Sequence, residues 1–525
     1  MAGKILHIII SVLLVCSGLL HDPLQAQPVY KVRLGEPFAL KDSYIYPKLF
    51  FTADSYYLLS FRSPDFLLCK EGVPEFTVET FDSSLNHTVS MPARGSLGVG
   101  HRLEPLFLDW TGKSFCIFAT ETSVAAGTSR CIAFRMDPDG EMQVGPVNLG
   151  ELSGMGKSAK LLYSAREDAY FRVTKFQDDT ATFYLYTQQF PVQGQSTAKL
   201  LVKVLDTALS VQRSKLLNLT VYPEYCQFSD IVPARGGLFF ILTIQLPFED
   251  KVFKLVTYSF DRDELSYYDF KMEGKKIHSL ETTLLSQGNI LIRGLYAEND
   301  SREEVDGLLY FLFDNDNQTL LSSGSVRIPG GEQETADLGL NNLRIRDTYV
   351  RPNGDVVILT ELYWTEVIDF TDSDGKLYLR PYYHSDDLLC LSFDRTGAFK
   401  WHAWIPREFG SSSEDMLGFH SLQSDSVAYI IYNDHPENLT IYAPESIRRV
   451  KNKYVPMMCL LDLETGSFHK YAISEPSDHK AGFTFRKDYV SNLSSRSMIW
   501  IMTDGNVNLM RITFGNEGTS SKGKN

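Results

Sequence analysis

The densest set of side chains able to do chemistry lies between residues 343 and 439 of the 525-residue chain. Charged, aromatic and amide groups recur there beside apolar runs, and the residues that we select as ligand-binding candidates are Arg344, Glu361, Tyr383, His384, Asp386, Asn433 and Asp434. Groups of these types, held on loops of a rigid scaffold, commonly orient a bound partner. An acidic stretch at 369–375 separates two strand-like runs in this region, and it predicts either a binding loop or a hairpin extension without a ligand.

Catalytic and metal-binding motifs are incomplete in this sequence. Hydrolysis of a glycosidic bond needs two carboxylates that face each other, and a chain with 65 acidic residues does not single out a pair. The Gly-x-Ser-x-Gly and P-loop motifs are both absent. Residues 372–375 resemble part of a calcium loop, but Phe370 and Pro381 would then stand where oxygen ligands are required. We therefore predict no catalytic residue, no metal site and no cofactor.

An aspartate ends an apolar run seven times along the chain, at Asp82, Asp137, Asp206, Asp261, Asp314, Asp394 and Asp462. Turn residues and a second apolar run follow each of them. A carboxylate in this place can accept hydrogen bonds from backbone N–H groups of the next few residues. We interpret these aspartates as turn-forming residues and not as catalytic acids.

The repeat predicts an all-β fold, a β-propeller that fills residues 27–515 as a single domain and is followed by a polar tail at 516–525. Continuous apolar runs suit strands that are buried on both faces between stacked sheets. The count favours eight blades, with seven as the alternative because residues 181–190 add an extra strand to the third unit. The last unit lacks a fourth strand, and we expect the N-terminal strand at 29–34 to supply it and close the ring.

The N-terminus has the features of a secretory signal peptide at residues 1–26. Lys4 precedes an apolar run at 5–20, and cleavage is predicted after Ala26. The alternative, a membrane anchor, is disfavoured because the run is shorter than the ~20 residues that span a bilayer. Lipid attachment at Cys16 is disfavoured because Val15 stands where a bacterial lipobox has a small residue. We predict an exported protein, periplasmic or secreted, with no transmembrane segment in the mature chain.

Net charge and cysteine content restrict the partners and the cross-links. A formal charge of −14 without a basic stripe disfavours binding to nucleic acid. Six cysteines follow the signal peptide, and export permits disulfides, of which Cys116–Cys131 across one hairpin is a candidate. The alternative, which we favour, is that all six are small buried hydrophobic residues, since a core of this size needs no cross-links.

Several short motifs between residues 280 and 440 carry a resemblance to a known group of proteins. They are Gly294-Leu295-Tyr296, Gly307-Leu308-Leu309-Tyr310, Leu343-Arg344, Tyr382-Tyr383-His384-Ser385-Asp386, Ile405-Pro406, Tyr432-Asn433-Asp434 and Asn438-Leu439. Together they resemble an uncharacterised family of exported β-propellers of the Bacteroidetes type, although His384-Ser385 departs from the family pattern. The resemblance implies the propeller fold and export, and it implies no activity.

Rigid blades with varied loops and without a complete catalytic motif predict a binding function. We expect a monomeric, bacterial, exported propeller that binds or scaffolds an envelope protein or a glycan, and that does not bind nucleic acid. The alternative is a glycoside hydrolase or lyase with its active site in the central funnel, which rests on analogy with other propellers.

Overall fold

The structure, a computed structural model, describes residues 30–515 with internal gaps at 41–43, 71, 96–101, 124–127, 153–170, 178–180, 191–196, 223–224, 235, 286–288, 299–304, 316, 329–341, 372–374, 444–445, 448–453, 474–484 and 504–505. The predicted signal peptide with Cys16, the polar tail and the centre of the acidic stretch lie outside the described residues. Among the described residues, no helix has the length and apolarity needed to cross a bilayer.

Eight antiparallel sheets form the described part of the chain, and we number them as blades 1–8 in chain order. The strands of each blade are lettered A to D from the centre of the ring outward. Blade 1 contains Tyr44–Ile45 and Phe50–Phe51 (A), Ser55–Phe61 (B), Phe76–Asp82 (C) and His87–Pro92 (D). Blade 2 contains Leu103–Trp110, Phe115–Ser123, Thr128–Met136 and Met142–Leu152, with Cys69–Lys70 and Val73–Pro74 added at strand A. Blade 3 contains Phe171–Gln177, Thr182–Gln189, Lys199–Asp206 and Val211–Asn218.

The remaining five blades repeat the same order of strands. Blade 4 contains Cys226–Phe228 and Val232–Ala234 (A), Gly237–Ile244, Val252–Ser259 and Glu264–Asp269. Blade 5 contains Lys276–Leu284, Ile290–Ala297, Gly307–Asp314 and Thr319–Arg327. Blade 6 contains Leu343–Val350, Val356–Thr371, Leu377–Phe393 and Phe399–Ser411. Blade 7 contains Phe419–Gln423, Val427–Asp434, Val455–Asp462 and Phe468–Ala472, and blade 8 contains Val490–Ser494, Ser497–Thr503, Val507–Phe514 and Tyr30–Leu34. Short 3-10 helices occupy Glu414–Met416, Pro436–Thr440 and Lys487–Tyr489.

The predicted architecture is confirmed, and the eight-bladed count is the correct one. The extra strand of the third unit, Thr182–Gln189, is strand B of blade 3. Tyr30–Leu34 pairs antiparallel with strand C of blade 8, with Tyr30 opposite Phe514 and Leu34 opposite Met510. The two ends of the described chain therefore share one blade, which removes an open sheet edge from the ring.

The core lies between neighbouring blades, where strands B and C are buried on both faces. Alternate residues of a strand point to opposite faces of its sheet. In strand B of blade 6, Ile358 packs with Leu291 of blade 5, whereas Val357 and Leu359 pack with Ile430 of blade 7. This two-sided burial explains why the B strands are continuously apolar and do not alternate with polar residues.

The recurrent aspartates lie in the turns between strands C and D, and six of the seven hold their own turn. Asp82 Oδ1, for example, accepts the N–H groups of Ser84 at 2.8 Å and Asn86 at 3.0 Å. The equivalent bonds are made by Asp137, Asp206, Asp314, Asp394 and Asp462. We call the face with these turns and the A–B turns the lower face, and the face with the B–C and D–A connections the upper face.

The register of blade 2 corrects the candidate disulfide. Cys116 lies opposite Arg135, and Cys131 lies opposite Thr120, so the two cysteines are offset by four residues along the hairpin. An offset of this size separates their Cα atoms by roughly 13 Å, well beyond the ~7 Å that a disulfide can bridge. Both thiols are free and fully buried.

Candidate functional site

The central strands of blade 6 extend far beyond the rest of their sheet. Strand B has 16 residues and strand C has 17. Strand A pairs with strand B only as far as Leu362, and strand D pairs with strand C only as far as Tyr383. Residues 365–371 and 377–382 therefore form a two-stranded hairpin that projects from the upper face, and we call it the arm. The acidic stretch therefore belongs to a hairpin extension, and whether this extension binds a partner stays a prediction.

One face of the arm exposes three aliphatic side chains, with Asp369 opposite Leu379 and Thr371 opposite Leu377 on the same face. Val367 is 67% exposed, Leu377 is 60% exposed and Leu379 is 72% exposed. The three side chains share a face because Val367 is paired with Pro381, and residues 377, 379 and 381 alternate along the facing strand. Solvation of this aliphatic surface is unfavourable, so its burial against another surface would stabilise a complex.

The opposite face of the arm is aromatic and cationic. The Arg380 guanidinium lies 4.0 Å from the centroid of the Phe370 ring, and the Lys376 ammonium lies 4.9 Å from that of Tyr378. Cations at this distance attract the electron-rich ring faces. One face of each ring is therefore already covered by a side chain of the arm itself.

The base of the arm contains the candidate residues that reach solvent. His384 stacks on Trp364, with ring centroids 4.4 Å apart and planes 3° apart, and its Nε2 lies 3.0 Å from Oε1 of Glu366. The Arg344 guanidinium lies 3.7 Å from the centroid of the Tyr363 ring. Tyr383 is half-buried against the cluster of Tyr363, Phe409 and Leu417. Arg344, Tyr383 and His384 can therefore contact a partner that reaches the base of the arm.

Below the arm, Glu361 is completely buried within a network of charges. Its Oε1 accepts a hydrogen bond from Arg346 Nε at 2.7 Å, and its Oε2 accepts one from Ser385 Oγ at 3.1 Å. Arg407 Nη2 lies 3.4 Å from Oε2 of the same carboxylate. A buried carboxylate between two guanidinium groups is compensated for its lost hydration, and removal of one partner leaves an unpaired buried charge.

Arg407 extends this network into blade 7. It is buried, and its Nη1 donates to the Gly418 carbonyl at 3.0 Å while its Nη2 donates to Ser385 Oγ. Its backbone N–H donates to Asp387 Oδ1 at 2.9 Å. One side chain therefore ties strands C and D of blade 6 to the connection that enters blade 7.

Asn433 and Asp434 also hold connections together. Asn433 Nδ2 donates to the Met416 carbonyl at 3.0 Å and to the Phe485 carbonyl at 2.7 Å. Asp434 Oδ1 accepts the N–H of His435 at 2.7 Å and Nδ2 of Asn438 at 2.8 Å, at the start of the 3-10 helix Pro436–Thr440. These contacts position the upper connections of blades 6, 7 and 8.

The structure thus divides the seven candidates chosen from the sequence into two groups. Arg344, Tyr383 and His384 are accessible, whereas the buried residues are Glu361, Asp386, Asn433 and Asp434. The second group is enclosed in this structure, so a direct binding role for these four is corrected, and the contacts of Glu361, Asn433 and Asp434 give these three a positioning role. The polar character of Glu361, Asn433 and Asp434 reflects buried hydrogen bonding, which has the same sequence signature as a binding site.

Arg407 is the residue of this region that the sequence interpretation missed. Arg407 lies two residues after Ile405 and two residues before Phe409, and both of these neighbours are buried. Because alternate residues of a strand share a face, a charge between two apolar positions of one face predicts an inward-facing, paired side chain. That signal was present in the sequence.

Burial raises the pKa of the Asp434 carboxyl to about 6, and the pKa of Asp387 to about 6 for the same reason. Between about pH 4 and pH 6 the folded state binds more protons than the unfolded state, so the stability contributed by these groups falls as pH rises. Between pH 4 and pH 7, we expect the free energy of unfolding of Asp434→Asn to rise by up to about 3 kcal/mol relative to that of the wild type, because the variant has no carboxyl to titrate. Thermal unfolding at a series of pH values measures this difference.

A matched control for this pH dependence is Asp65→Asn, at an exposed carboxylate. The difference in the free energy of unfolding between Asp65→Asn and the wild type should vary by less than about 0.5 kcal/mol over the same pH range. If the free energies of unfolding of Asp434→Asn and the wild type differ by the same amount at every pH, the raised pKa of Asp434 is contradicted.

Strongly exposed hydrophobic side chains are concentrated on the upper face. Among the described residues, eight large hydrophobic side chains are at least half exposed. Six of them lie on upper connections, and these are Val73, Tyr222, Phe248, Val367, Leu377 and Leu379. The other two, Leu34 and Leu321, lie on outer strands. The upper face is therefore the more apolar one, and the arm is its largest projection.

No group of three or more His, Cys, Asp or Glu side chains in the described part of the chain could hold a metal ion. Carboxylates on the inner strands are paired with arginines of the neighbouring blade or of the same blade. Arg172 Nη1 lies 3.2 Å from Oδ1 of Asp230, and Arg293 Nη2 lies 3.3 Å from Oε2 of Glu281.

No protein-family model and no curated protein matches the sequence. Solved structures with distant similarity include the polysaccharide lyase Uly1, at 10% identity and a TM-score of 0.37, over 80% of this chain and 91% of that one. The β-propeller domain of the Trilobed protease from Pyrococcus furiosus is 8% identical with a TM-score of 0.29, over 64% and 80% of the two chains. A protein of unknown function from Dyadobacter fermentans DSM 18053 is 10% identical with a TM-score of 0.30, over 66% and 96%. Similarities this distant carry no information about function.

Proposed function

We propose that this protein is an exported propeller that binds a partner protein at its upper face, with the aliphatic face of the arm as the main contact. The observation that carries the proposal is the exposure of Val367, Leu377 and Leu379 side by side on a projecting hairpin. Contiguous apolar surface of this kind is typical of protein interaction sites. The signal-peptide pattern at residues 1–26 and the resemblance to exported propellers support the proposed location.

A protein partner fits the arm better than a glycan does. Sugars bind to open aromatic ring faces and to fixed polar groups, whereas the large exposed side chains on the open face of the arm are aliphatic. On the other face, Arg380 and Lys376 already lie over the rings of Phe370 and Tyr378. Apolar side chains surrounded by charged residues match the apolar centre and polar rim of protein interfaces.

The alternative enzymatic function, a glycoside hydrolase or lyase in the central funnel, has less support. Glycoside hydrolysis requires two carboxylates that face each other across the substrate. On the inner strands, Asp230 and Glu281 are paired with arginines, and Asp347 Oδ2 accepts a hydrogen bond from Ser421 Oγ.

The proposal predicts that Leu377→Lys combined with Leu379→Glu abolishes partner binding without unfolding the protein. Both side chains are exposed, so the expected change in the free energy of unfolding is within about 0.5 kcal/mol. A photo-cross-linking residue placed at Val367, in the native host, should give a discrete protein adduct that the double substitution removes.

The matched control for this experiment is the same cross-linker at Val211, a partly exposed valine at the lower end of blade 3. It should give no such adduct. Equal adducts from both positions, or an adduct from Val367 that survives the double substitution, would show that the arm is not the binding surface.

A further inference from the structure

A polar cleft lies on the lower face, between the C–D turns of blades 4 and 5. Its volume is about 230 Å³, and residues that line it include Gly236, Asp261, Arg262, Glu264, Asn315 and Gln318. The walls thus present carboxylates, amides and a guanidinium on two neighbouring blades. The cleft is on the opposite face from the arm.

Asp261 is the one recurrent aspartate that does not hold its own turn in the described part of the chain. Its Oδ1 accepts a hydrogen bond from Arg213 Nη1 of blade 3 at 2.9 Å. Within the turn, the Arg262 N–H donates instead to Ser259 Oγ at 3.3 Å, and the Phe260 N–H ties the turn to the A–B turn by donating to the Gly236 carbonyl at 2.7 Å. The carboxylate that forms the turn in the other blades is here paired with Arg213 of blade 3 and lines the cleft.

The backbone around Asp261 is adapted to this arrangement. Gly236 has a φ of +70°, and a Cβ atom at this position would lie 3.1 Å from Oδ2 of Asp261. A glycine therefore leaves space beside the carboxylate and adopts a backbone conformation that other residues rarely adopt. Asp263, two residues after Asp261, also has a positive φ, of +52°. In the turns of Asp82 and Asp206, the residue with a positive φ comes three residues after the aspartate, at Leu85 and Leu209. The turn at Asp261 therefore has a different backbone conformation.

The opposite wall of the cleft is held in place by its own hydrogen bonds. Thr257 Oγ1 donates to Gln318 Oε1 at 2.7 Å, and Gln318 Nε2 donates to the Asn315 carbonyl at 2.6 Å. The amide of Gln318 is therefore fixed in orientation before any ligand arrives. Groups that are ordered in the free protein lose less entropy on binding.

We propose that this cleft binds a neutral monosaccharide. Its mixture of carboxylate and amide acceptors with amide and guanidinium donors matches a ring of hydroxyl groups, each of which donates and accepts. The carboxylates of Asp261 and Glu264 are balanced by Arg262 and by Arg213, which is paired with Asp261, so the cleft has no excess charge and favours a neutral ligand over an ion. The volume is below the ~300–1,000 Å³ of typical ligand pockets, which restricts the ligand to about one sugar ring.

Saturation-transfer difference NMR on the purified full chain with glucose, galactose, mannose and N-acetylglucosamine, at millimolar concentrations, tests this site. At least one sugar should give a signal from which a Kd can be titrated. Asp261→Asn should weaken that binding about tenfold, because an amide accepts a hydroxyl hydrogen bond less strongly than a carboxylate does. Asn315→Ala should weaken it as well, and this variant leaves the turn at Asp261 intact.

The matched control is Asp206→Asn, at the equivalent position of blade 3, where the carboxylate holds its own turn. It should lower the Tm and leave the Kd for the sugar unchanged. The inference is overturned if none of the four sugars binds, or if both Asp261→Asn and Asn315→Ala bind the sugar as the wild type does. These outcomes are independent of the arm, since the two surfaces lie on opposite faces.

Discussion

Deletion of Tyr30–Leu34 should open the ring and prevent the chain from folding as a stable, soluble propeller. The deletion removes all five residues that pair with strand C of blade 8, and it exposes the backbone edge of Val507–Phe514. It also removes Tyr30, whose hydroxyl donates to the Ala472 carbonyl of blade 7 at 3.1 Å. An exposed central strand is a site of aggregation. The yield of soluble protein and the cooperativity of thermal unfolding measure the effect.

A circular permutant is the appropriate control for this deletion. In it, residues 30–34 follow Phe514 through a short turn, so that the same strand returns to the same edge by a hairpin. Because the contacts are restored with a different connectivity, the permutant should recover soluble expression and a Tm close to that of the wild type. A deletion variant that unfolds at the wild-type temperature would show that the closing strand is dispensable.

Glu361→Ala should destabilise the protein by about 3–5 kcal/mol, the range for removal of one partner from a buried ion pair. The substitution leaves Arg407 buried without its carboxylate and deprives Arg346 of its salt bridge. Glu361→Gln keeps an acceptor for Ser385 Oγ, so this variant should lose less free energy of unfolding than Glu361→Ala does. Chemical denaturation of the three proteins, with the midpoint and slope both fitted, measures the two differences.

The control for the buried network is Glu141→Ala, which removes an exposed ion pair. Glu141 lies 3.3 Å from Arg94, and both side chains are more than half exposed. Exposed pairs of this type contribute at most about 1 kcal/mol. Equal losses for Glu361→Ala and Glu141→Ala would contradict a structural role for the buried carboxylate.

Features that depend on local sequence were predicted correctly. The continuous apolar B strands, the turn-forming aspartates and the missing strand of the last unit all follow from the periodicity and hydrogen-bonding capacity of adjacent residues. The role of Tyr30–Leu34 could also be predicted, because a unit with three strands requires a fourth strand from elsewhere in the chain. The eight-bladed count needed the pairing of Thr182–Gln189 with its neighbours.

Features that depend on distant contacts were not determined by residue type. Glu361 and Asn433 have the composition of a binding site, yet their partners come from other strands and blades, and these partners bury them. Cys116 and Cys131 lie on one hairpin, but the register of the two strands places them four residues apart along it, too far for a disulfide.

The sequence by itself determined the strands, the turns and the closure of the ring, because hydrophobic periodicity and local hydrogen bonding act over a few residues. Only the tertiary structure decided which polar side chains reach solvent and which are enclosed between blades. Asp261 shows the difference most clearly, since the same residue in the same repeat position leaves its turn and lines a cleft. The physical reason is that burial and the available partners of a side chain depend on neighbouring blades, whose approach no local pattern encodes.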